Sequence, residues 1–147
     1  MLRPLALADM SAAAQIHRIA LEYAVPSLVG FHTPDEYRWF YRERVLPTCR
    51  VWGRFDSNEL CGIIAFNDGW IEQLYVLPTA HRRGVGTELL DVAKGASDRL
   101  ELWTFQCNAK ARRFYEARGF TLAEATDGAR NEEKEPDARY VWTRSVR

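Results

Sequence analysis

The sequence predicts a mixed α/β sheet in one domain. Three observations carry that reading. The chain has 147 residues, too few for two domains that each bury a sizeable core. Its middle holds short apolar runs separated by turn residues, the pattern of an antiparallel meander. Beyond them the pattern becomes strand–helix–strand–helix–strand.

Taken in order, residues 1–7 read as a short strand. Asp9 or Ser11 can cap a helix that carries Ile16, Ile19, Ala20 and Tyr23 on one face, with His17 on its polar side and at the surface; Pro26 ends it. Thr33-Pro34-Asp35-Glu36 is a helix start with a capping box, followed by Tyr37, Phe40, Tyr41 and Arg44 at helical spacing and closed by Pro47. Residues 50–55 and 60–66 form a hairpin, Asn67-Asp68-Gly69 makes a second turn, and residues 70–77 form a third strand before Pro78. Val85, Leu89, Val92, Ala93 and Ala96 place an amphipathic helix over residues 84–96. A strand over 99–104 precedes a helix over 108–118, capped by Asn108 and ended by Gly119 in the left-handed region. Strands over 120–124 and 139–143 finish the chain, with residues 126–137 as a polar loop between them.

Hydrophobic residues make up 47% and charged residues 27%, ordinary for a globular protein. Lys plus Arg and Asp plus Glu both number 20, so there is no positive surplus to favour a nucleic-acid partner. No apolar run approaches the roughly 20 residues of a membrane span, and the N-terminus lacks the pattern of a secretory signal. Cys49, Cys61 and Cys107 show no Cys-x-x-Cys spacing, so neither a disulfide framework nor a metal site is expected. These features together lead to the expectation of a reduced, cytoplasmic protein.

The most informative turn is His81-Arg82-Arg83-Gly84-Val85-Gly86-Thr87, between a strand and a helix. Backbone N–H groups at a helix start lack acceptors, and the helix dipole adds positive charge. With Arg82 and Arg83 beside it, the turn is suited to a diphosphate. It is neither a Walker loop nor Gly-x-Gly-x-x-Gly, because Leu89 stands where the last glycine belongs. On these residues alone, a softened helix start with solvated arginines explains the turn equally well.

The second segment is the string Asn-x-x-Ala-x-x-Phe-Tyr-Glu-x-x-Gly-Phe from Asn108 to Phe120. The two segments in this order resemble the GNAT acetyltransferase superfamily, with specific motifs over residues 70–120. The resemblance implies a mostly antiparallel, twisted sheet flanked by helices, with acetyl-CoA as donor and a homodimer as one possible assembly. It implies that the strand around Leu74, Tyr75 and Val76 pairs with the pantetheine arm. The amides of Arg82, Arg83, Gly84, Val85, Gly86 and Thr87 would hold the pyrophosphate, Asn108 would contact the pantetheine region, and Tyr115 would sit near the sulfur. His81 stands where the family usually has Arg or Gln.

Acetyl transfer to an amine needs a neutral nitrogen, yet an alkylamine titrates near about 10.4. Glu72 is the candidate base, because residues 72, 74 and 76 share a face in a regular strand; a solvent-facing carboxylate is the alternative. Tyr115 carries a phenol for the departing thiolate, or else it is a core tyrosine. His32 and Trp70 are candidate acceptor contacts, together with Tyr23, Trp39 and the acidic Glu132, Glu133, Glu135 and Asp137. Lys110, Arg112 and Arg113 could reach the 3′-phosphate. Cys107 has no adjacent base in sequence and is not read as a nucleophile. The expected function is acetylation of a small primary amine by direct attack. The alternatives are acetylation of a protein N-terminus, a non-catalytic CoA sensor and a nucleotide-binding module.

Overall fold

The structure, a computed structural model, describes residues 1–145. Residues 146 and 147, the end of the domain expected over 1–147, lie outside the described residues. The elements are β1 (Leu2–Pro4), α1 (Met10–Ala24), α2 (Pro34–Phe40), α3 (Leu46–Thr48), β2 (Arg50–Asp56), β3 (Glu59–Asn67), β4 (Trp70–Val76), α4 (Val85–Ala96), β5 (Arg99–Phe105), α5 (Ala109–Ala117), β6 (Thr121–Thr126) and β7 (Asp137–Thr143). The strands form one seven-stranded sheet in the order β1-β2-β3-β4-β5-β7-β6. Every neighbouring pair is antiparallel except β4 with β5.

Local chemistry explains several boundaries. The capping box at α2 is complete: the Thr33 hydroxyl accepts from the Glu36 amide at 3.1 Å, and the Glu36 carboxylate accepts from the Thr33 amide at 2.8 Å. The helix does not stop at Phe40 but widens into a π-helical turn, Tyr41–Val45, before α3. The first strand ends at Pro4, short of the expected residue 7. Asp9 precedes α1 without capping it, because its carboxylate accepts from the Ala6 amide and from the Arg3 guanidinium.

The sheet is covered on both faces. On one face Leu89 and Leu90 of α4, Tyr115 of α5 and Phe120 just after it pack against Ile64, Phe66, Leu100, Leu102 and Tyr140. On the other, Met10, Ala13, Ile16, Tyr37 and Tyr41 pack against Val51, Ile63 and Ala65. β3 is buried continuously from Cys61 to Phe66, as expected of a strand sandwiched between two helical layers.

His17 is buried, contrary to the surface position expected from the sequence. The buried stripe of α1 runs through Met10, Ala13, Ala14, Ile16, His17, Ala20 and Leu21; it includes Ile16 and Ala20 of the expected face but is wider than expected, and Tyr23 is exposed. Small alanines opposite bulky aromatics bring the histidine inside. Its ring stacks on Tyr75 at 4.1 Å between centroids and meets Tyr37 and Tyr41 edge-on. Its Nδ1 is hydrogen-bonded to the Tyr41 hydroxyl at 2.7 Å. Burial, with a smaller contribution from the charge of His32, pushes the His17 pKa down to about 3.

The folded chain therefore holds His17 neutral in a range where the unfolded chain protonates it. Stability contributed by this neutral ring is present above the unfolded value of about 6.5 and is lost as pH falls from there towards about 3. Lowering the pH from about 7 to about 5 should cost the protein on the order of 2 kcal/mol through this group. His17→Phe should show a shallower decline in urea-unfolding free energy over that interval. An equal decline in both proteins would remove His17 from the acid response.

Candidate active site

The site begins where the sheet comes apart. β4 and β5 register only at Trp70 and Glu101, next to a bond from the Glu101 amide to the Gly69 carbonyl at 2.9 Å. β5 pairs with β7 along its whole length, and β4 stays with β3. Beyond the single register, the edge of β4 opens into a cavity of about 1030 Å³ lined by Glu72, Leu74, Tyr75 and Val76 on one side and Trp103, Thr104 and Phe105 on the other. Backbone donors and acceptors on such an unpaired edge require water or a ligand.

β4 is also bulged. Ile71 pairs with Phe66 and Gln73 with Ala65, so Glu72 has no partner. The bulge shifts the alternation: Ile71, Leu74 and Val76 pack towards α4 and α5, and Tyr75 packs towards α1. Glu72 thus does not share the face of Leu74 and Val76, as a regular strand would require. It is exposed at the cavity, with the Asn67 amide donating to it at 3.4 Å.

One end of the cavity is built for an anion. Arg82 and Gly84 both have positive φ, 66° and 77°, and Gly84 precedes α4 without a side-chain cap. The first bond of this helix runs from the Glu88 amide to the Gly84 carbonyl at 3.0 Å, which leaves the amides of Val85, Gly86 and Thr87 without helical acceptors. Those residues line the cavity with His81, Arg82, Lys110 and Arg118. Free donors, a helix dipole and cationic side chains fit a diphosphate. The two glycines act differently: Gly84 supplies the left-handed turn, whereas a Cβ on Gly86 would press on the Phe114 ring at 3.1 Å. His81 ties the turn to the sheet, its Nε2 donating to the Val76 carbonyl at 3.1 Å. Arg83 lies outside the cavity lining, drawn away by an ion pair with Asp56. Arg112 is also drawn aside, donating to the Tyr140 hydroxyl at 3.0 Å.

α5 fixes the other wall. The Asn108 side chain accepts from the Ala111 amide at 3.2 Å and starts the helix. At its end the Phe120 amide bonds the Tyr115 carbonyl and the Gly119 amide bonds the Glu116 carbonyl, a Schellman motif with Gly119 at φ 90°. The motif's apolar contact is Tyr115 against Phe120, with ring centroids 5.5 Å apart. Tyr115 is 7% exposed and lines the cavity, and among the described residues its hydroxyl makes no hydrogen bond. Burial holds its pKa well above the usual phenol value.

The carboxylates of the lining come from Glu72 and from the loop over residues 127–136 with Asp137 after it, a loop ordered around Asn131. That side chain donates to the Glu135 carbonyl at 2.7 Å and to Asp137 at 3.1 Å. Asn131, Glu133 and Asp137 line the cavity. Tyr23 lines it as well, whereas the expected acceptor contacts His32, Trp39, Trp70, Glu132 and Glu135 do not. Trp70 sits at the paired end of the split, where β4 is still joined to β5. His32 stands between Glu36 and Glu132, at 3.5 and 3.0 Å. Arg118, at the end of α5, bridges to α4 by donating to the Thr87 hydroxyl at 2.9 Å. Among the described residues, no group of three or more His, Cys, Asp or Glu could hold a metal, and no helix is long and apolar enough to cross a membrane.

A split mixed sheet with an uncapped helix start and cationic side chains beside it is suited to a ligand that carries a diphosphate. The chain belongs to the acetyltransferase (GNAT) family, whose sequence model matches residues 13–120. The peptidyl-lysine N-acetyltransferase YiaC of Escherichia coli (strain K12) is 29% identical over 84 residues. That match spans 56% of this chain and 58% of YiaC, little more than half of either. The fold is shared with apo-form YjaB from Escherichia coli, at TM-score 0.83 and 16% identity over 99% of this chain and 98% of that one. It is shared also with PaiA N-acetyltransferase from Thermoplasma acidophilum in complex with coenzyme A, at TM-score 0.70 and 20% identity over 97% and 98%. A third is yncA from Salmonella typhimurium with its cofactor acetyl-CoA, at TM-score 0.73 and 18% identity over 100% and 95%.

The different settings of the two neighbouring arginines give a direct comparison. Arg82→Gln should weaken acetyl-CoA binding by about tenfold, the scale of one charged contact. Arg83→Gln should weaken it far less. Titrations followed by the ligand-induced rise in melting temperature measure both, and equal losses would put Arg83 back in the cradle.

Proposed function

We propose that the protein transfers the acetyl group of acetyl-CoA to a small primary amine by direct attack in a ternary complex. The observation that carries this reading is the buried, unpartnered Tyr115 hydroxyl in the opening between β4 and β5, in a cavity lined by both cationic groups and carboxylates. The amides of Val85, Gly86 and Thr87, with Arg82, hold the diphosphate. The unpaired edge of Leu74, Tyr75 and Val76 runs beside the pantetheine arm, and its amides receive charge on the thioester oxygen. The Asn108 carbonyl group is committed to its helix, which leaves the side-chain NH2 for the ligand.

The acceptor enters as an ammonium and gives one proton to Glu72 or to water beside it. The nitrogen then forms a bond to the thioester carbon, the carbon–sulfur bond breaks, and the nitrogen sheds a second proton as the amide forms. Tyr115 donates a hydrogen bond to the departing sulfur, and CoA leaves as the thiol. Overall, one ammonium and acetyl-CoA give one amide, CoA thiol and one proton.

A second reading is a lysine side chain on a protein. It is favoured by the likeness to YiaC and by the exposed Tyr23, Val29 and Phe31 near the end of α1. Thiol release from acetyl-CoA, measured across small amines and lysine-containing peptides, separates the two. Acetyl-CoA binding without release on any acceptor would indicate a sensor and overturn both.

Tyr115→Phe should lower kcat by about tenfold to a hundredfold, the lower range for a group acting on a leaving atom. Its Kd for CoA should stay near that of the unchanged protein. An unaltered kcat would remove Tyr115 from the chemistry.

A further inference from the structure

The unpaired edge of β4 carries one side chain whose polar tip has no use inside the fold. Tyr75 packs towards α1, is half-buried and lines the cavity. Its ring is held firmly. His17 stacks on it at 4.1 Å between centroids, and His17 is itself hydrogen-bonded to the Tyr41 hydroxyl at 2.7 Å. The ring also packs against the cluster of Leu21, Val25 and Leu28.

Two buried phenols of the core have partners. Tyr41 is bonded to His17, and Tyr140 is bonded to Arg112 at 3.0 Å and to Glu116 at 2.7 Å. The Tyr75 hydroxyl makes no hydrogen bond among the described residues. Within that part of the chain no sealed side-chain nitrogen or oxygen lacks a partner, so the unpartnered Tyr75 hydroxyl is not sealed and can meet a ligand. Burial, and after it the fields of Tyr115, Tyr37 and Glu133, hold the phenol protonated. Those three groups come from α5, α2 and the loop over residues 127–136, so the hydroxyl stands within electrostatic reach of Tyr115 and of elements beyond the split. One residue thus offers two different groups, a backbone edge for the thioester and a fixed hydroxyl on a rigid ring.

The attacking nitrogen of a primary amine carries two hydrogens once it is neutral. Its lone pair is spent on the thioester carbon, so towards the protein it can only donate. One hydrogen leaves as a proton after the carbon–nitrogen bond forms, the step given above to Glu72 or water. The other stays in the amide. A neutral phenol oxygen suits that second hydrogen, because it accepts a hydrogen bond without taking the proton. Positive charge grows on the nitrogen as the bond forms, so a hydrogen bond from it strengthens in the transition state. We propose that the Tyr75 hydroxyl accepts a hydrogen bond from the attacking nitrogen and aims its lone pair at the thioester carbon. Tyr75 is then a catalytic residue on the nitrogen side of the reaction, as Tyr115 is on the sulfur side. This deepens the transferase reading and rests on it. It concerns the reacting nitrogen alone, so it holds for a small amine and for a lysine side chain.

The test is thiol release from acetyl-CoA with butylamine, benzylamine or a lysine-containing peptide, using whichever is turned over fastest. Tyr75→Phe should lower kcat by about tenfold, the scale of one hydrogen bond to a group that is gaining charge. The Kd for acetyl-CoA should stay near that of the unchanged protein. The hydroxyl has no partner in the fold, so the melting temperature should not fall. Tyr75→Phe and Tyr115→Phe act on different atoms, so in the double variant the two losses in kcat should multiply. Four outcomes overturn the inference alone: an unaltered kcat, a loss confined to acetyl-CoA binding, a drop in kcat that comes with a lowered melting temperature, or no further loss when Tyr75→Phe is added to Tyr115→Phe. No thiol release by the unchanged protein with any of the acceptors overturns the transferase reading and the inference with it.

Discussion

The parting of β4 from β5 is the constraint on which the rest of the structure depends. Each strand has a full partner on its other side, so each half of the sheet is stable without the missing ladder. The halves remain one body because the core beneath the split is continuous, with Val85, Leu89 and Leu90 of α4 meeting Ile64, Ile71 and Leu100 from both halves. Helix packing thus replaces strand pairing as the force that sets the width of the opening. The parallel relation of β4 and β5 demands a crossover, and that crossover is α4. The topology that makes the slot therefore also brings a helix N-terminus to its mouth.

Much of this was legible in the sequence because it rests on local chemistry. The Thr33–Glu36 box, the hairpin of β2 and β3, the cap at Asn108 and the Gly119–Phe120 ending each involve residues a few positions apart, where type and spacing suffice. The features that were not legible depend on register or on distant partners. The bulge at Glu72 is decided by how β4 lies on β3, and it shifts every later side chain of that strand by one face. Arg83 and Arg82 are adjacent, but Asp56 from β2 takes only one of them. His17 has a polar side chain on a helix rich in alanine, and its burial follows from the aromatic rings of α2 and β4 above it. The loop over 127–136 looks solvated by composition, yet Asn131 supplies the internal bonds that order it.

Tyr115 shows how one local motif serves packing and sets up the proposed chemistry. The Schellman ending holds its backbone, and Phe114, Phe120 and Tyr140 surround its ring. The same burial raises its pKa and keeps the phenol protonated, so its hydroxyl has a hydrogen to offer.

Magnitudes then decide what that hydrogen can do. A free thiol titrates near about 8.5 and an ordinary phenol near about 10. Burial widens the gap in the direction of the phenol. Outright transfer from Tyr115 to a thiolate would run uphill by at least about 2 kcal/mol, at about 1.4 kcal/mol for each unit of difference. A hydrogen bond to the sulfur as charge develops involves no such transfer and gains strength in a site with little water. The proton that ends on CoA is better supplied by the nitrogen, which becomes strongly acidic once it has bonded to the carbonyl carbon. In the proposed reaction Tyr115 therefore stabilises the leaving group, and the acid–base work is assigned to Glu72, which lines the cavity and is exposed.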